Sequence, residues 1–256
     1  MISIIKAIIL SIVQGITEWL PISSSGHLAL FGHFFSFQDL PFDIFLHFAS
    51  VLAVIVIFWK DIIKICDIRQ KGNVRFILLM LLALIPAVVV GIFFSEVISG
   101  FFSNLFYLGL FFILSGVIVY STKFVKPSKK RISWLDSLFI GIFQALAILP
   151  GISRSGSTIS AGLFRGIKKD DVIRFSFLMS IPLILGASIM EAKSIVFGNI
   201  DYLILAVSFI VTFFISLFAI RILLKIIRGG RFYLFGLYNL LLGIFILVWK
   251  LLVSFV

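Results

Sequence analysis

Gln14 and Glu18 stand four residues apart in a chain that otherwise reads as almost unbroken hydrocarbon, and after Pro21 come Ser23, Ser24, Ser25, Gly26 and His27. A spacing of four puts the amide and the carboxylate on one face of a helix. A carboxylate at membrane depth costs at least about 2.5–3.5 kcal/mol, so its default role is functional. Glu18 could hold a divalent cation, take a proton from a nucleophile or orient His27. Gln14 offers hydrogen bonds without charge. Hydroxyls that follow a proline open a helix and cap its free N–H groups. Three serines with Gly26 at such a terminus also make a nest for an anion such as phosphate. His27 lies three residues after Ser24 and can share its face, and a hydroxyl beside an imidazole is the pairing that activates an oxygen nucleophile.

The pattern returns 130 residues later, with Gln144 at the place of Gln14 and Ile152-Ser153-Arg154-Ser155-Gly156 aligned without a gap on Ile22-Ser23-Ser24-Ser25-Gly26. Arg154 now occupies the position of Ser24. Its planar fork matches phosphate oxygens in pairs, and in a low-dielectric site it acts strongly on developing negative charge. An intramembrane arginine needs an anion, and a substrate phosphate and Glu18 are the two candidates. Ser153, Ser155 and Thr158 can cap the helix and donate to phosphate, or serve only as packing hydroxyls.

The surroundings define the solvent. Of 256 residues 61% are hydrophobic and 13% charged, against about 25% charged in a soluble domain, and the mean hydropathy is +1.23. The chain is an integral membrane protein, and its apolar runs of 18 residues and more are helical, without the ten-residue alternation of a barrel. The 31 Phe residues suit lipid contact and packing, and Cys66, the single cysteine, excludes an intrachain disulfide. The net charge of +11 lies in short loops between apolar runs, a mark of topology rather than of nucleic-acid binding. Lys6 ahead of an apolar stretch faintly resembles a signal peptide, but no small-residue cleavage site follows, so the segment is assigned to the mature protein.

Six segments are long enough to span, about 41–60, 74–95, 103–123, 172–192, 203–225 and 232–254. Shifting the first three by 130 nearly reproduces the last three. Stretches 2–36 and 132–166 are broken near their middles by Pro, Ser and Gly, and each reads as two short helices forming a re-entrant hairpin. Thus each half, 1–125 and 131–256, is a hairpin plus three spans, in an all-α polytopic fold. Eighteen of the 22 Lys and Arg fall on one side, which the positive-inside rule makes cytoplasmic. Three spans per half invert the second half relative to the first, so both termini face outward and the two hairpin tips meet, an architecture known from transporters. His33 and His47 read as interfacial or structural, Asp43 as a weaker ligand candidate, and Asp170 and Asp171 as solvating a loop.

The two motifs resemble those of the bacterial undecaprenyl-diphosphate phosphatase family associated with bacitracin resistance. The first runs from Gln14 through Glu18, Leu20-Pro21 and the serines to Gly26 and His27. The second is Pro150-Gly151-Ile152-Ser153-Arg154-Ser155-Gly156-Ser157-Thr158. The resemblance implies hydrolysis of undecaprenyl diphosphate to the monophosphate, which recycles the lipid carrier of cell-wall synthesis in the cell membrane. It also implies a site opening outward, a divalent cation (Mg or Ca) with Glu18 as its ligand, and bacitracin competing for the substrate. Catalytic roles carry over to Glu18, Ser24, His27 and Arg154, with His27 and Glu18 handling the proton. Phosphate-binding roles fall to Gln14, Ser23, Ser25, Gly26, Ser153, Ser155 and Thr158. Many relatives have Glu where this chain has Gln14, which weakens a paired-carboxylate metal site. The nucleophile stays open between Ser24, His27 and water. Membrane lipids are the other partners, nucleic acid is none, and a homodimer is allowed. The alternative is a transporter that flips the polyprenyl phosphate, which needs phosphate binders but no nucleophile.

Overall fold

The computed structural model describes residues 2–35, 40–125, 131–192 and 201–254. Its elements are helical: α1 (Ile4–Thr17), α2 (Ser24–Phe35), α3 (Leu40–Ile57), α4 (Trp59–Cys66), α5 (Lys71–Phe102), α6 (Leu105–Ser121), α7 (Trp134–Leu146), α8 (Arg154–Phe164), α9 (Lys169–Ala192), α10 (Tyr202–Arg228) and α11 (Tyr233–Ser254). Five of these helices are long and apolar enough to cross a membrane, or six if the bent pair α3–α4 counts as one span. The protein is therefore a multi-pass membrane protein.

The interrupted stretches fold back on themselves. At about 1.5 Å per residue the 14-residue α1 and 12-residue α2 reach only about 21 and 18 Å, short of a hydrocarbon core of about 30 Å. Lys6 Nζ, near the start of α1, donates to the carbonyl of Phe35 at the end of α2, 3.1 Å away. The second stretch closes likewise, through a 2.7 Å ion pair from Arg165 Nε to Asp136 Oδ1. Serine begins both hairpins. Ser3 caps α1, and Ser133 caps α7 in a reciprocal pair with Asp136, satisfying N–H groups that a helix start leaves free.

Most span boundaries agree with the hydropathy reading to about three residues. Two do not. The span assigned to 41–60 ends at Ile57, and the chain bends by 75° into α4, because Lys60, Asp61 and Lys64 form a polar face that belongs at the membrane surface. In α5 the helix runs to Phe102 rather than ending near residue 95. Ser95 and Glu96 there are exposed, so the helix continues beyond the apolar layer with its backbone bonds intact.

Packing follows a reciprocal pattern. Helix α1 lies on α10, where Thr212 donates to the Ser11 carbonyl, and α7 lies on α5, where Ser137 donates to the Leu79 carbonyl. The two largest partners, α6 and α11, run antiparallel, with Gly109 against Gly243 and Gly116 against Gly236. Their backbones approach so closely that a Cβ at Gly236 would sit 2.3 Å from the Tyr120 nitrogen. Small residues permit such approach, and van der Waals contact then holds the pair in lipid. The buried core joins Trp19 of the first turn to Val51, Val54, Phe175, Phe177 and Ile220, while Phe93, Phe94, Phe214, Leu241 and Phe245 are among the many apolar side chains facing outward.

Candidate active site

The two hairpin turns touch. Ser23 adopts φ 68, the left-handed region, which costs a non-glycine residue about 1–2 kcal/mol. Its neighbours fix that conformation. Ser23 Oγ accepts from the Gly26 N–H (3.3 Å) and, across the contact, from the Gly151 N–H (3.2 Å). Gly151 has φ +100, and a Cβ on Gly26 would lie 2.8 Å from the Gly151 Cα and 2.6 Å from the Phe112 ring. Only glycine fits at either position. Ser153 repeats the device, capping α8 from the Gly156 N–H at 3.1 Å. Ser25 and Ser155 each stand beside the capping serine of their own turn, at 3.4 and 3.3 Å. From α11, Asn239 donates to the Pro21 carbonyl (2.8 Å) and to Ser115 Oγ (3.3 Å), and Ser115 in turn accepts from the Ser153 N–H (3.1 Å). The second half thereby clamps the first turn.

Glu18 is buried where the turns meet, and both of its oxygens are occupied. Arg154 Nη2 donates to Oε1 at 2.8 Å. Oε2 accepts from Ser24 Oγ at 2.6 Å and from Gln14 Nε2 at 3.2 Å, and His47 Nε2 stands 3.3 Å from it. Ser24 and Arg154, which share one position in the repeated motif, thus converge on a single carboxylate. One neighbour lies on Oε1 and three gather at Oε2, and such charged and hydrogen-bonding partners are how a buried ion is tolerated. Arg154 also lies over the Trp19 ring, with Cζ 5.2 Å from the centroid. Its Nη1 is buried without a partner, a donor for which an incoming anion oxygen is the natural acceptor.

His27 is elsewhere. Its Nδ1 faces the Ser23 carbonyl at 2.7 Å and its Nε2 the Tyr238 hydroxyl at 2.8 Å, with the Tyr238 ring stacked on it. In this geometry the group positioned to take the Ser24 proton is Glu18, so the expected His27–Glu18 partnership is not formed. Thr158, expected at phosphate, directs its hydroxyl to Ser176 Oγ (2.7 Å) and to the Arg154 carbonyl (2.9 Å), and so braces α8 against α9. His33 is exposed, as an interfacial residue should be, and Asp170 pairs with Arg228 on the basic side. His47 and Tyr238 were missed by sequence reasoning. For His47 a signal existed, since Asp43 and His47 are four apart and share a helix face inside an apolar span. Tyr238 has no local signal, because 211 residues separate it from its partner.

The donor set does not suit a protein-held divalent ion. Among the described residues no three His, Cys, Asp or Glu side chains gather as a metal would need. Glu18 is the one carboxylate of the cluster, and a guanidinium already covers one of its oxygens. Gln14 supplies neutral amide where a second carboxylate would be required.

A sequence profile described as bacitracin resistance protein BacA matches residues 7–245, which include both turns, the whole second hairpin and the first from Ala7 onward. The chain belongs to this family. A protein named undecaprenyl-diphosphatase from Methanococcus vannielii is 42% identical over 247 residues, covering 94% of this chain and 98% of the relative. Relatives of the same name come from Halothermothrix orenii, 38% identical over 253 residues with 96% and 97% covered, and from Alkaliphilus metalliredigens, 36% identical over 271 residues with 96% and 98% covered. BacA membership thus covers the carboxylate cluster as well as the helical frame that holds it.

Proposed function

We propose that the protein hydrolyses undecaprenyl diphosphate to undecaprenyl phosphate and inorganic phosphate, with Ser24 as nucleophile. The observation that carries the site assignment is the buried Ser24–Glu18–Arg154 cluster, with a hydroxyl 2.6 Å and a guanidinium 2.8 Å from the two oxygens of one carboxylate. The family and the name borne by its relatives supply the substrate class, a polyprenyl diphosphate. In the first step Ser24 Oγ bonds to the terminal phosphorus, the bridging P–O bond breaks toward the lipid monophosphate, and the serine proton moves to Glu18 Oε2. In the second, water bonds to phosphorus, the Oγ–P bond breaks, and Glu18 returns its proton to Ser24. The surplus proton of water leaves with the released phosphate. Arg154, with its unpartnered Nη1, neutralises the transferred group, and the backbone N–H groups that open α2 and α8 add a positive field. Phosphoryl transfer depends on such positioning and charge more than on covalent chemistry by the protein. Among the described residues the site offers a divalent cation too few ligands, so no step is assigned to one.

We also propose that residues 1–125 and 131–256 are inverted repeats, each a re-entrant hairpin followed by three spans. Two features support this. Corresponding helices α6 and α11 pack antiparallel, and each half's hairpin lies on the other half's equivalent helix, α1 on α10 and α7 on α5. The Lys/Arg-rich loops on one side favour a cytoplasmic linker and outward termini. Substrate then enters the tip-to-tip site laterally from the outer leaflet, and bacitracin competes there for the diphosphate. The cluster around Glu18 is complete within one chain, so a homodimer is not required. Flipping of the monophosphate is not favoured, because a carrier has no use for a hydroxyl held on a buried carboxylate.

The test is release of inorganic phosphate from undecaprenyl diphosphate by purified protein in detergent. Ser24→Ala and Glu18→Gln should each lose at least about a thousandfold in kcat, as removal of one member of a cooperating nucleophile–base pair does. Full activity in Ser24→Ala would remove serine as the nucleophile.

A further inference from the structure

His47 faces the site carboxylate through an atom that cannot bond to it without a proton. Its Nδ1 is 2.8 Å from the Asp43 carbonyl oxygen, which can only accept, so Nδ1 carries hydrogen. Nε2 is then 3.3 Å from Glu18 Oε2, an oxygen already accepting from Ser24 and Gln14. A neutral Nδ1–H imidazole would turn its lone pair toward those of a carboxylate. A second ring proton resolves the clash. Two further features favour placing it on His47. Arg154 on Oε1 holds Glu18 in its ionised form, and Asp43, one helical turn before His47 on the same face, adds a second carboxylate nearby.

We infer that His47 is a positioning residue, an imidazolium that locks Glu18 Oε2 toward Ser24 and supplies the site with a second fixed cation. The cation balance gives it a purpose. With Gln14 neutral, Glu18 is the carboxylate that Arg154 and His47 both contact, and with Asp43 one turn from His47 the two anions and two cations balance, so a diphosphate meets two fixed cations without a surplus of protein anions. Arg154 and His47 grip opposite oxygens of one carboxylate and fix its rotation, which a single partner would leave free. Glu18 and its two cationic partners stand on three separate elements, the α1–α2 turn, α3 and α8. His47 thereby takes over, with protein charge, part of the neutralising task that a bound ion performs at other phosphoryl-transfer sites.

The kinetic side of this role rests on the phosphatase reading; the charge state does not. Two measurements separate them. Histidine labelled with 15N in the detergent-solubilised protein gives three imidazoles, His27, His33 and His47, and His47→Gln identifies the signal that vanishes. That signal should be the doubly protonated imidazolium at neutral pH, and a neutral Nδ1–H tautomer would overturn the inference. In phosphate release, His47→Ala should lower kcat by about 10–100-fold, the worth of one charge-assisted hydrogen bond, and His47→Gln, which keeps a donor but not the charge, should recover part of it. A kcat within threefold of wild type in His47→Ala would refute the positioning role, as would a glutamine variant no better than alanine. If no chain hydrolyses the lipid, the phosphatase reading fails while the spectrum still decides the charge.

Discussion

Arg154→Lys separates charge from geometry. The guanidinium performs two tasks at once: Nη2 holds Glu18 Oε1 at 2.8 Å while Nη1 stays buried and unpartnered, directed at no protein acceptor. An ammonium is a single point of charge and must choose between carboxylate and phosphate. If it stays on Glu18, the transferred phosphoryl loses one preorganised donor, a loss of about 2.7–4 kcal/mol in comparable oxyanion sites. At 1.36 kcal/mol per decade this is about 10²–10³-fold in kcat. Folding should survive, because the buried carboxylate keeps a cation and its contacts with Ser24, Gln14 and His47. Arg154→Ala should lose more activity and also melt earlier, since breaking one side of a buried ion pair costs up to about 3–5 kcal/mol. Phosphate release at saturating lipid and thermal unfolding in the same detergent read the two effects separately. A lysine variant within threefold of wild-type kcat would refute the two-task account of Arg154.

Two further outcomes are expected. Gly236→Ala places a Cβ 2.3 Å from the Tyr120 nitrogen and 2.7 Å from the Gly116 carbonyl oxygen; overpacking of about 1–3 kcal/mol should lower the melting temperature. Gly100→Ala, where nothing lies within 4 Å, should leave it unchanged or raise it slightly. Sidedness is checked in intact cells with an impermeant maleimide. Exposed Cys66, at the end of α4 on the basic side, should react only after permeabilisation, whereas Ser99→Cys in a Cys66→Ser background should react at once; the reverse pattern would overturn the outward-facing site.

The sequence alone determined the solvent, the helix count to within one broken span and the paired motifs, and it singled out the polar residues that are costly at membrane depth. Those are matters of composition and local period: an apolar run long enough to span can be little else, and Glu18 or Arg154 at membrane depth is too costly to be idle. The hairpins were legible for the same reason, since Pro, Ser and Gly interrupt two apolar stretches at matching places. Hydropathy carried the span on to residue 60, past the bend after Ile57, because it averages over a window, whereas the break answers to individual charges at 60, 61 and 64. Only the tertiary structure decided which side chains share a carboxylate. Ser24, Arg154 and His47 come from three elements, and their convergence on Glu18 depends on turns held in contact by Ser23, Gly26 and Gly151. The same contact carries His27 away to Tyr238 and leaves Thr158 on Ser176. Residue type states what a side chain can donate or accept; its partner is fixed by the path of the backbone, which no local spacing encodes.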